Sequence, residues 1–213
     1  MKKITSIEQQ KRNKDRYNIY LAEHFAFGVC VETLLSHNMK EGDELDDDFV
    51  NQVLKVEEQN KAVSFAMHFL TARKRSEKEV SVKMKQKGYE EDLIEHTLIK
   101  LREFGYIDDK DFTQSLINDR RNLKKVGKRL LVQELRMKGI DTEIIEELVS
   151  ESATDDSEYE NALALAGKKA ENLSGEDPRS IKNKLYQFLL RKGYSSNIIT
   201  RVLRQLAVGG SEE

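Results

Sequence analysis

The sequence has few of the features that assign a protein to a common class at once. Its 213 residues include a single cysteine, Cys30, so no disulfide can form within the chain, which is typical of a reducing compartment. No apolar run approaches the roughly 20 residues that span a bilayer. The opening stretch MKKITSIEQQKRNK also lacks the apolar core of a signal peptide. We therefore expect a cytoplasmic protein without a membrane partner.

Proline and tryptophan are also scarce, and this favours helices. The chain has one proline, Pro178, and no tryptophan. Charged residues make up 35% of the chain, hydrophobic residues 38%, and the mean hydropathy is −0.66. Long helices with short connectors need little proline, and this balance predicts several thin cores with much solvated surface rather than one deep core.

Sequence patterns of catalysis and cofactor binding are missing as well. There is no HExxH metal motif, no GxxxxGK[ST] or GxGxxG nucleotide motif, and no GxSxG nucleophile elbow. The acidic run DDKD at 108–111 lacks the glycine and glutamate of a calcium loop, so we predict that it caps a helix beginning near Phe112. Cys30 is interpreted as a small buried hydrophobe. We expect no enzyme activity, no metal and no cofactor.

What the chain does contain is a repeat. The stretches KGYEEDLI (87–94), KGIDTEII (138–145) and KGYSSNII (192–199) share a Lys-Gly pair, a bulky apolar residue and two closing aliphatics. They recur about every 50 residues, and a period of this size indicates a repeat architecture. The glycines, Gly88, Gly139 and Gly193, are predicted to end a helix with positive φ.

Each repeat carries the pattern of three helices. Before every repeated glycine, apolar residues fall eight and four positions upstream, which places them on one helical face. Capping signals mark helix starts, with a capping box at Ser76–Glu79 and the Asp177-Pro178 pair. Apolar spacing predicts one further helix before each pair and another after each glycine turn, so the last two helices resemble a helix-turn-helix.

The first 56 residues differ from the rest. Tyr17, Ile19 and Leu21 alternate with polar residues, as do Phe25, Phe27 and Val29, which predicts strands joined to the preceding segment by a turn at KRNKD. The segment KITSIEQQ does not alternate strictly. The short stretch VETLLSHN and the acidic-capped stretch GDELDDDFVNQVL predict two helices.

The predicted fold is therefore mainly α, an elongated array of three tandem three-helix repeats with a small N-terminal β-hairpin/α region. The predicted domains are an N-terminal region at 1–56, repeats at 57–107, 108–154 and 155–207, and a disordered tail at 208–213.

Basic residues concentrate in three segments, although the net charge is only −2. Nine of these basic residues lie in or beside the connector that leads into the second helix of repeat one or repeat two. We call them the basic stripe: Arg73, Lys74, Arg75, Arg120, Arg121, Lys124, Lys125, Lys128 and Arg129. Such clusters fit either phosphates or acidic patches on a protein, and each charge alone could also belong to a solvated face. Tyr89, Ile140 and Tyr194 follow the turns, where packing is a simpler role than stacking on bases.

Three stretches go beyond a general helical repeat: LREFGYIDDKDF (101–112), GKRL (127–130) and ELRMKGI (134–140). Together they resemble the RecX family of bacterial RecA regulators, and the resemblance covers essentially the whole chain. The first 56 residues are similar to the N-terminal extension of the longer Gram-positive members. The chain departs from the family at 122–126, where many members place an aromatic residue or an arginine.

The resemblance implies a curved protein, expected to be monomeric, that lies in the groove of the RecA–single-stranded-DNA filament. It would act in DNA repair, recombination and the SOS response by restraining the recombinase and co-protease activities of RecA and promoting filament loss. Two alternatives stay open: a helix-turn-helix DNA-binding regulator and a protein scaffold without nucleic acid. Acidic residues after the first two turns disfavour the DNA-binding regulator, but the third repeat lacks them.

Overall fold

The structure is a computed structural model, and it describes residues 1–209. The described chain holds four strands, β1 (Lys2–Gln9), β2 (Arg16–Leu21), β3 (His24–Cys30) and β4 (Glu44–Leu45). Its α-helices are α1 (Val31–Ser36), α2 (Asp47–Leu70), α3 (Glu77–Lys87), α4 (Glu91–Glu103), α5 (Asp109–Asn118), α6 (Lys128–Met137), α7 (Thr142–Ser152), α8 (Asp155–Glu171), α9 (Pro178–Arg191) and α10 (Ser196–Gly209). The prediction of a mainly helical chain with a small N-terminal sheet is confirmed.

The chain divides into two compact units. The first unit combines Met1–Ala72 with Ser81–Tyr106, and the second combines Arg73–Val80 with the chain from Ile107 onward. The second unit thus takes in the first turn of α3. Of the tail predicted at 208–213, residues 210–213 lie outside the described part of the chain.

An antiparallel sheet in the order β3-β2-β1-β4 forms the start of the first unit. The turn predicted at KRNKD closes the β1–β2 hairpin, where the Gln10 N–H donates to the Arg16 carbonyl at 2.9 Å. Alternation in β2 buries Ile19 and Leu21, as expected for a half-buried strand. The non-alternating KITSIEQQ segment is also a strand, because pairing with both β2 and β4 satisfies its backbone although of its strand residues only Ile4 is fully buried.

A buried carboxylate ties this sheet to α2. Glu57 accepts the Cys30 N–H at 2.9 Å and forms an ion pair with Arg16 at 2.7 Å. Cys30 itself is only partly buried, and its Sγ lies 3.1 Å from Thr33 Oγ1. The interpretation of Cys30 as a buried hydrophobe is therefore wrong, because the charged end of Glu57 makes its surroundings polar.

Helix α2 corrects a second expectation. The sequence predicted one helix at GDELDDDFVNQVL and another starting a repeat at 57, but a single helix of 24 residues crosses that position. Asp46 caps it by accepting the Phe49 N–H at 2.7 Å. No glycine or proline interrupts the segment, so both apolar faces continue on one helix.

The second unit contains two cores of the same plan. One is built from α5, α6 and α7 around Leu131 and Leu135, and the other from α8, α9 and α10 around Leu185 and Leu189. These leucines are the residues predicted to line one face before the repeated glycines. The predicted caps are confirmed at Asp108, which accepts the N–H groups of Lys110 and Asp111, and at Asp177 before Pro178.

Candidate functional site

The three repeated glycines end α3, α6 and α9 as predicted. Their φ angles are +93° at Gly88, +78° at Gly139 and +91° at Gly193. After each glycine the next N–H returns to a carbonyl five residues upstream, for example from Ile140 to Leu135 at 3.2 Å. This is the pattern of a Schellman C-cap, in which a side chain at the left-handed position would cost conformational energy.

Two of these turns also receive the start of another helix. At the α9–α10 turn, the Gly127 N–H donates to the Lys192 carbonyl at 2.8 Å and the Arg129 N–H donates to the Gly193 carbonyl at 3.1 Å. A Cβ added to Gly193 would lie 2.5 Å from Leu130 Cβ, and one added to Gly127 would lie 2.6 Å from the Gly193 carbonyl carbon. Glycine is required on both sides because the two backbones are in contact.

The α6–α7 turn receives the start of α3 in the same way. Ser76 Oγ donates to the Lys138 carbonyl at 2.8 Å, and a Cβ on Gly139 would lie 2.5 Å from Lys78 Cδ. Ser76 also forms the predicted capping box, with its N–H donating to Glu79 at 3.2 Å. Around a Cβ added to Gly88, by contrast, the described residues place no atom within 4 Å. The Lys-Gly pairs at Gly139 and Gly193 are therefore docking points as well as helix ends, whereas the pair at Gly88 is a helix end.

Glu79 is the charged centre of this second junction. It accepts hydrogen bonds from Arg73 at 2.8 Å and from Lys138 at 3.0 Å. Burial acts to raise the pKa of Glu79, but the bonds from Arg73, Lys138 and the Ser76 N–H outweigh it and lower the pKa to about 2. Arg73, which the sequence placed in the basic stripe, is thus engaged in holding a helix start.

The basic stripe does not form one uniform surface. Arg121 is buried, with 4% of its surface exposed, and its guanidinium pairs with the buried Glu158 and donates to Ser157 Oγ at 2.8 Å. Arg121, which the sequence placed in the basic stripe, is therefore bound inside the fold and is not available to a partner. Its partner lies 37 positions downstream, and nothing local in the sequence reveals that pairing.

Arg120 is also occupied by carboxylates. Its Nε donates to Glu134 Oε2 at 2.7 Å, its Nη2 donates to Glu134 Oε1 at 2.5 Å, and Asp119 contacts Nη1. The bonds that Arg120 donates to Glu134 raise the pKa of Arg120 and lower the pKa of Glu134. This bidentate geometry fixes the segment that follows α5 against α6.

Lys74 is exposed but paired, since its Nζ lies 2.5 Å from Asp111 and donates to Ser115 Oγ at 3.2 Å. Arg75 is half-buried beside it. Both residues lie at the connector before α3, and the pairing of Lys74 fixes this connector against α5.

Three members of the stripe are exposed around the start of α6, and a fourth lies half-buried beside them. Lys124, Lys128 and Arg129 are exposed, and Lys125 is half-buried with its Nζ donating to Asn161 Oδ1 at 2.8 Å. Lys124 Nζ lies 3.6 Å from Asp119 Oδ2. Within residues 1–209, Lys128 and Arg129 form no ion pair. We call Lys124, Lys128 and Arg129 the exposed basic cluster.

The aromatic residues that follow the turns pack against neighbouring side chains, with Tyr194 fully buried and Tyr89 half-buried. Tyr194 is fully buried, and its hydroxyl donates to the Lys125 carbonyl at 2.7 Å. Burial raises the pKa of Tyr194 far above its ordinary value, and the nearby Glu158 acts in the same direction. The Tyr89 ring lies 5.6 Å from the ring of Phe65 on α2. The packing role is confirmed for both tyrosines.

The site is thus a set of binding features on a helical repeat protein: glycine-turn junctions, a buried ion pair and an exposed basic cluster. Among the described residues, no three His, Cys, Asp or Glu side chains group as metal ligands. No helix in the same range is both long and apolar enough to cross a membrane.

Comparison with known protein families matches four successive segments. Residues 2–46 match the regulatory protein RecX N-terminal domain, and residues 62–101, 108–149 and 156–203 match the first, second and third three-helix domains of RecX. A relative called regulatory protein RecX from Clostridioides difficile (strain 630) is 37% identical over 203 residues, which are 95% of each chain. One of the same name from Clostridium botulinum (strain Alaska E43 / Type E3) is 36% identical over 96% of each.

Solved structures agree with these sequence relatives. A crystal structure of regulatory protein RecX aligns with a TM-score of 0.79 at 31% identity, covering 95% of this chain and 98% of that one. The crystal structure of RecX from Lactobacillus salivarius aligns with a TM-score of 0.64 at 30% identity, covering 72% and 99%. The chain belongs to the RecX family of regulatory proteins.

Proposed function

We propose that this chain binds the RecA–single-stranded-DNA filament, lies in its groove and inhibits the recombinase and co-protease activities of RecA. The observation that carries the proposal is the match over 95% of the chain to a relative called regulatory protein RecX. The filament offers the same contact at every protomer, so weak contacts from several repeats combine into useful avidity.

The exposed basic cluster supports a contact with the phosphates or acidic patches of that filament. Lys124, Lys128 and Arg129 are exposed, while Arg120 and Arg121 are consumed by carboxylates of the fold. We therefore assign the filament-facing role to this cluster, with Lys125 and Lys74 as flanking positive charge. Arg73 and Arg120 contribute mainly by holding the connectors before α3 and α6 through Glu79 and Glu134.

No enzyme activity belongs to the proposal. The relatives are named regulatory proteins, and the isolated chain is expected to hydrolyse no ATP and cut no DNA. Changes in ATP turnover in the presence of the filament would arise from RecA itself.

A titration tests the proposal against its alternatives. Fluorescent single-stranded and duplex oligonucleotides are titrated with the chain at several salt concentrations, with and without RecA and its nucleotide. The proposal expects tight, saturable binding that requires RecA, together with loss of strand exchange and of co-protease activity. Equal binding with and without RecA would support the DNA-binding regulator. No binding under any of these conditions would support the protein scaffold without nucleic acid.

The DNA-binding regulator keeps one specific observation in its favour. Helix α10 follows the third glycine turn and holds no acidic residue along Ser196–Gly209, whereas α4 and α7 expose several. A recognition helix must approach phosphates, so α10 is the helix suited to that role. Sequence-dependent binding to duplex DNA without RecA would support it.

A further inference from the structure

The connector between α5 and α6 has an unusual backbone. Asp119–Leu123 forms a π-helical turn, and Lys125 adopts a left-handed conformation with φ of +47° although it is not glycine. Both are costly local conformations, and they persist only where surrounding contacts impose them. Such strain clusters at functional sites, such as ligand clamps and switch regions.

The surrounding contacts hold this connector firmly. The buried Arg121 pairs with Glu158 and donates to the Val126 carbonyl at 3.3 Å, which closes the loop from inside. Tyr194 then donates to the Lys125 carbonyl at 2.7 Å. The loop is therefore preorganised, so it would lose little conformational entropy when a partner binds it.

What the connector presents at its tip is a leucine. Leu123 is 78% exposed, more than any other large hydrophobic residue of the described chain except Met1. Its neighbours Asn122 and Lys124 are exposed as well. The side chain of Leu123 adds nothing to the packing of the core. The loop that carries it is nevertheless held by a buried ion pair and has a strained backbone.

The chemistry of the tip favours a protein over a nucleic acid. A leucine has no π-face on which a base could stack, whereas it fills an apolar pocket well. Lys124 flanks it, and Lys128 lies exposed at the start of α6 without an ion pair in the described range. Positive charge beside an apolar tip complements a pocket that carboxylates surround.

We propose that the tip at 122–124 inserts Leu123 into an apolar, carboxylate-rimmed pocket on a protein partner. The proposal rests on the proposed function, in which that partner is the protein component of the filament. Lys124 and Lys128 contact the rim of the pocket. Arg129, the remaining residue of the exposed basic cluster, contacts other negative charges of the filament.

The test compares three variants with the parent chain. Leu123→Ser removes the apolar tip, Leu123→Met keeps an apolar side chain, and Leu35→Ser is the matched control at a leucine that is 72% exposed on α1. Affinity is measured for the assembled filament and for the single-stranded oligonucleotide alone. Melting is recorded for every variant, and it should not change because both leucines are exposed.

The expected result is a roughly tenfold or greater loss of filament affinity for Leu123→Ser, the size typical of an interface anchor. Affinity for the oligonucleotide alone should be unchanged, and Leu123→Met and Leu35→Ser should bind the filament like the parent. Parental filament affinity in Leu123→Ser overturns the proposal, as does an equal loss on the oligonucleotide alone. Failure of the parent itself to bind the filament overturns the proposed function, and is distinct from either result.

Discussion

At the scale of single residues, Arg121 and Glu158 form a buried ion pair. Both side chains are almost fully enclosed, and Glu158 also accepts the Lys128 N–H at 3.0 Å. Glu158 thus holds the buried arginine with one oxygen and the first backbone amide of α6 with the other. Removing one partner leaves the other charge buried without compensation.

Replacing Arg121 with glutamate should therefore destabilise the protein by about 3–5 kcal/mol, because two carboxylates would face each other in a buried site. Chemical denaturation followed by circular dichroism measures the change. Lys124→Glu is the matched control just beyond the π-helical turn, and as an exposed charge it should shift stability by about 0.5 kcal/mol or less. Equal effects of the two substitutions would contradict the burial of Arg121.

The repeated glycines give a second prediction at the residue scale, which ranks the loss of stability when each glycine is replaced with alanine. Alanine at Gly88 costs only the left-handed conformation, on the order of 1 kcal/mol. Alanine at Gly139 must also displace Lys78, and at Gly193 it would meet Leu130 N at 2.6 Å. Loss of stability should increase from Gly88 through Gly139 to Gly193, and valine at Gly139 should cost on the order of 1 kcal/mol or more.

Unfolding free energies of the three alanine variants test that order. Gly167→Ala serves as the control, because Gly167 lies within α8, has no positive φ and has no atom within 4 Å of an added Cβ. It should leave stability unchanged or raise it, since alanine favours a helix. A Gly88 variant as unstable as the Gly193 variant would contradict the docking role of the turns.

At the scale of elements, the start of α3 is held by charge. Its contacts with the α6–α7 turn run through Glu79, which binds Arg73 and Lys138. Serine at position 76 completes the junction by bonding both its own helix and the Lys138 carbonyl. A helix start that depends on a carboxylate is sensitive to acid.

The pKa of Glu79 is lowered from 4.5 to about 2 in the folded protein. As the pH falls, the unfolded chain therefore binds a proton at this group at a higher pH than the folded chain does. The stabilisation from Glu79 should be complete above pH 4.5 and be lost as the pH falls towards 2. Glu79→Gln should accordingly be less stable than the parent at pH 7, and the difference should shrink across this window.

Urea titrations at several pH values measure the difference between parent and variant. Glu146→Gln is the control for removing a carboxylate, because Glu146 is exposed on α7 and its substitution should change stability by about 0.5 kcal/mol or less at pH 7. A difference between parent and Glu79→Gln that stays constant from pH 7 to pH 2 would show that Glu79 is not ionised in the junction.

At the scale of the whole molecule, the proposed contact with the filament is made by the exposed basic cluster, whose charges contribute little to the stability of the fold. Reversing Lys124, Lys128 and Arg129 to glutamate should leave helicity and melting nearly unchanged, because all three are exposed. It should weaken filament binding and flatten its salt dependence, by roughly 0.7 in log–log slope for each single-strand phosphate that the variant no longer neutralises. Inhibition of RecA should fall with binding.

Lys2 and Lys3 supply the matched control, since both are exposed on β1 outside the repeats. Their reversal to glutamate should change filament binding much less. Full inhibition of RecA by a folded triple variant would mean that the exposed basic cluster is a solvated face.

Local patterns in the sequence were sufficient for most of the fold. Apolar spacing predicted the helices of each repeat, the Asp177-Pro178 pair and the Ser76 capping box predicted helix starts, and the Lys-Gly repeat predicted positive φ at all three glycines. These features depend on neighbours within a few residues, so they can be read from a short window. The sequence predicted two helices where α2 is unbroken, although no glycine or proline marks a helix boundary near position 56.

The tertiary structure decided which charges remain free. Nine basic residues looked equivalent in sequence, yet Arg120 and Arg121 are bound by Glu134 and Glu158, which lie 14 and 37 positions away. It also showed that Gly127 and Gly193 meet across two repeats, and that Leu123 stands exposed on a strained loop. Composition and period determined the class of fold, because they act through local propensity and burial. Pairing between distant charges depends on how the helices dock, and only three-dimensional packing sets that.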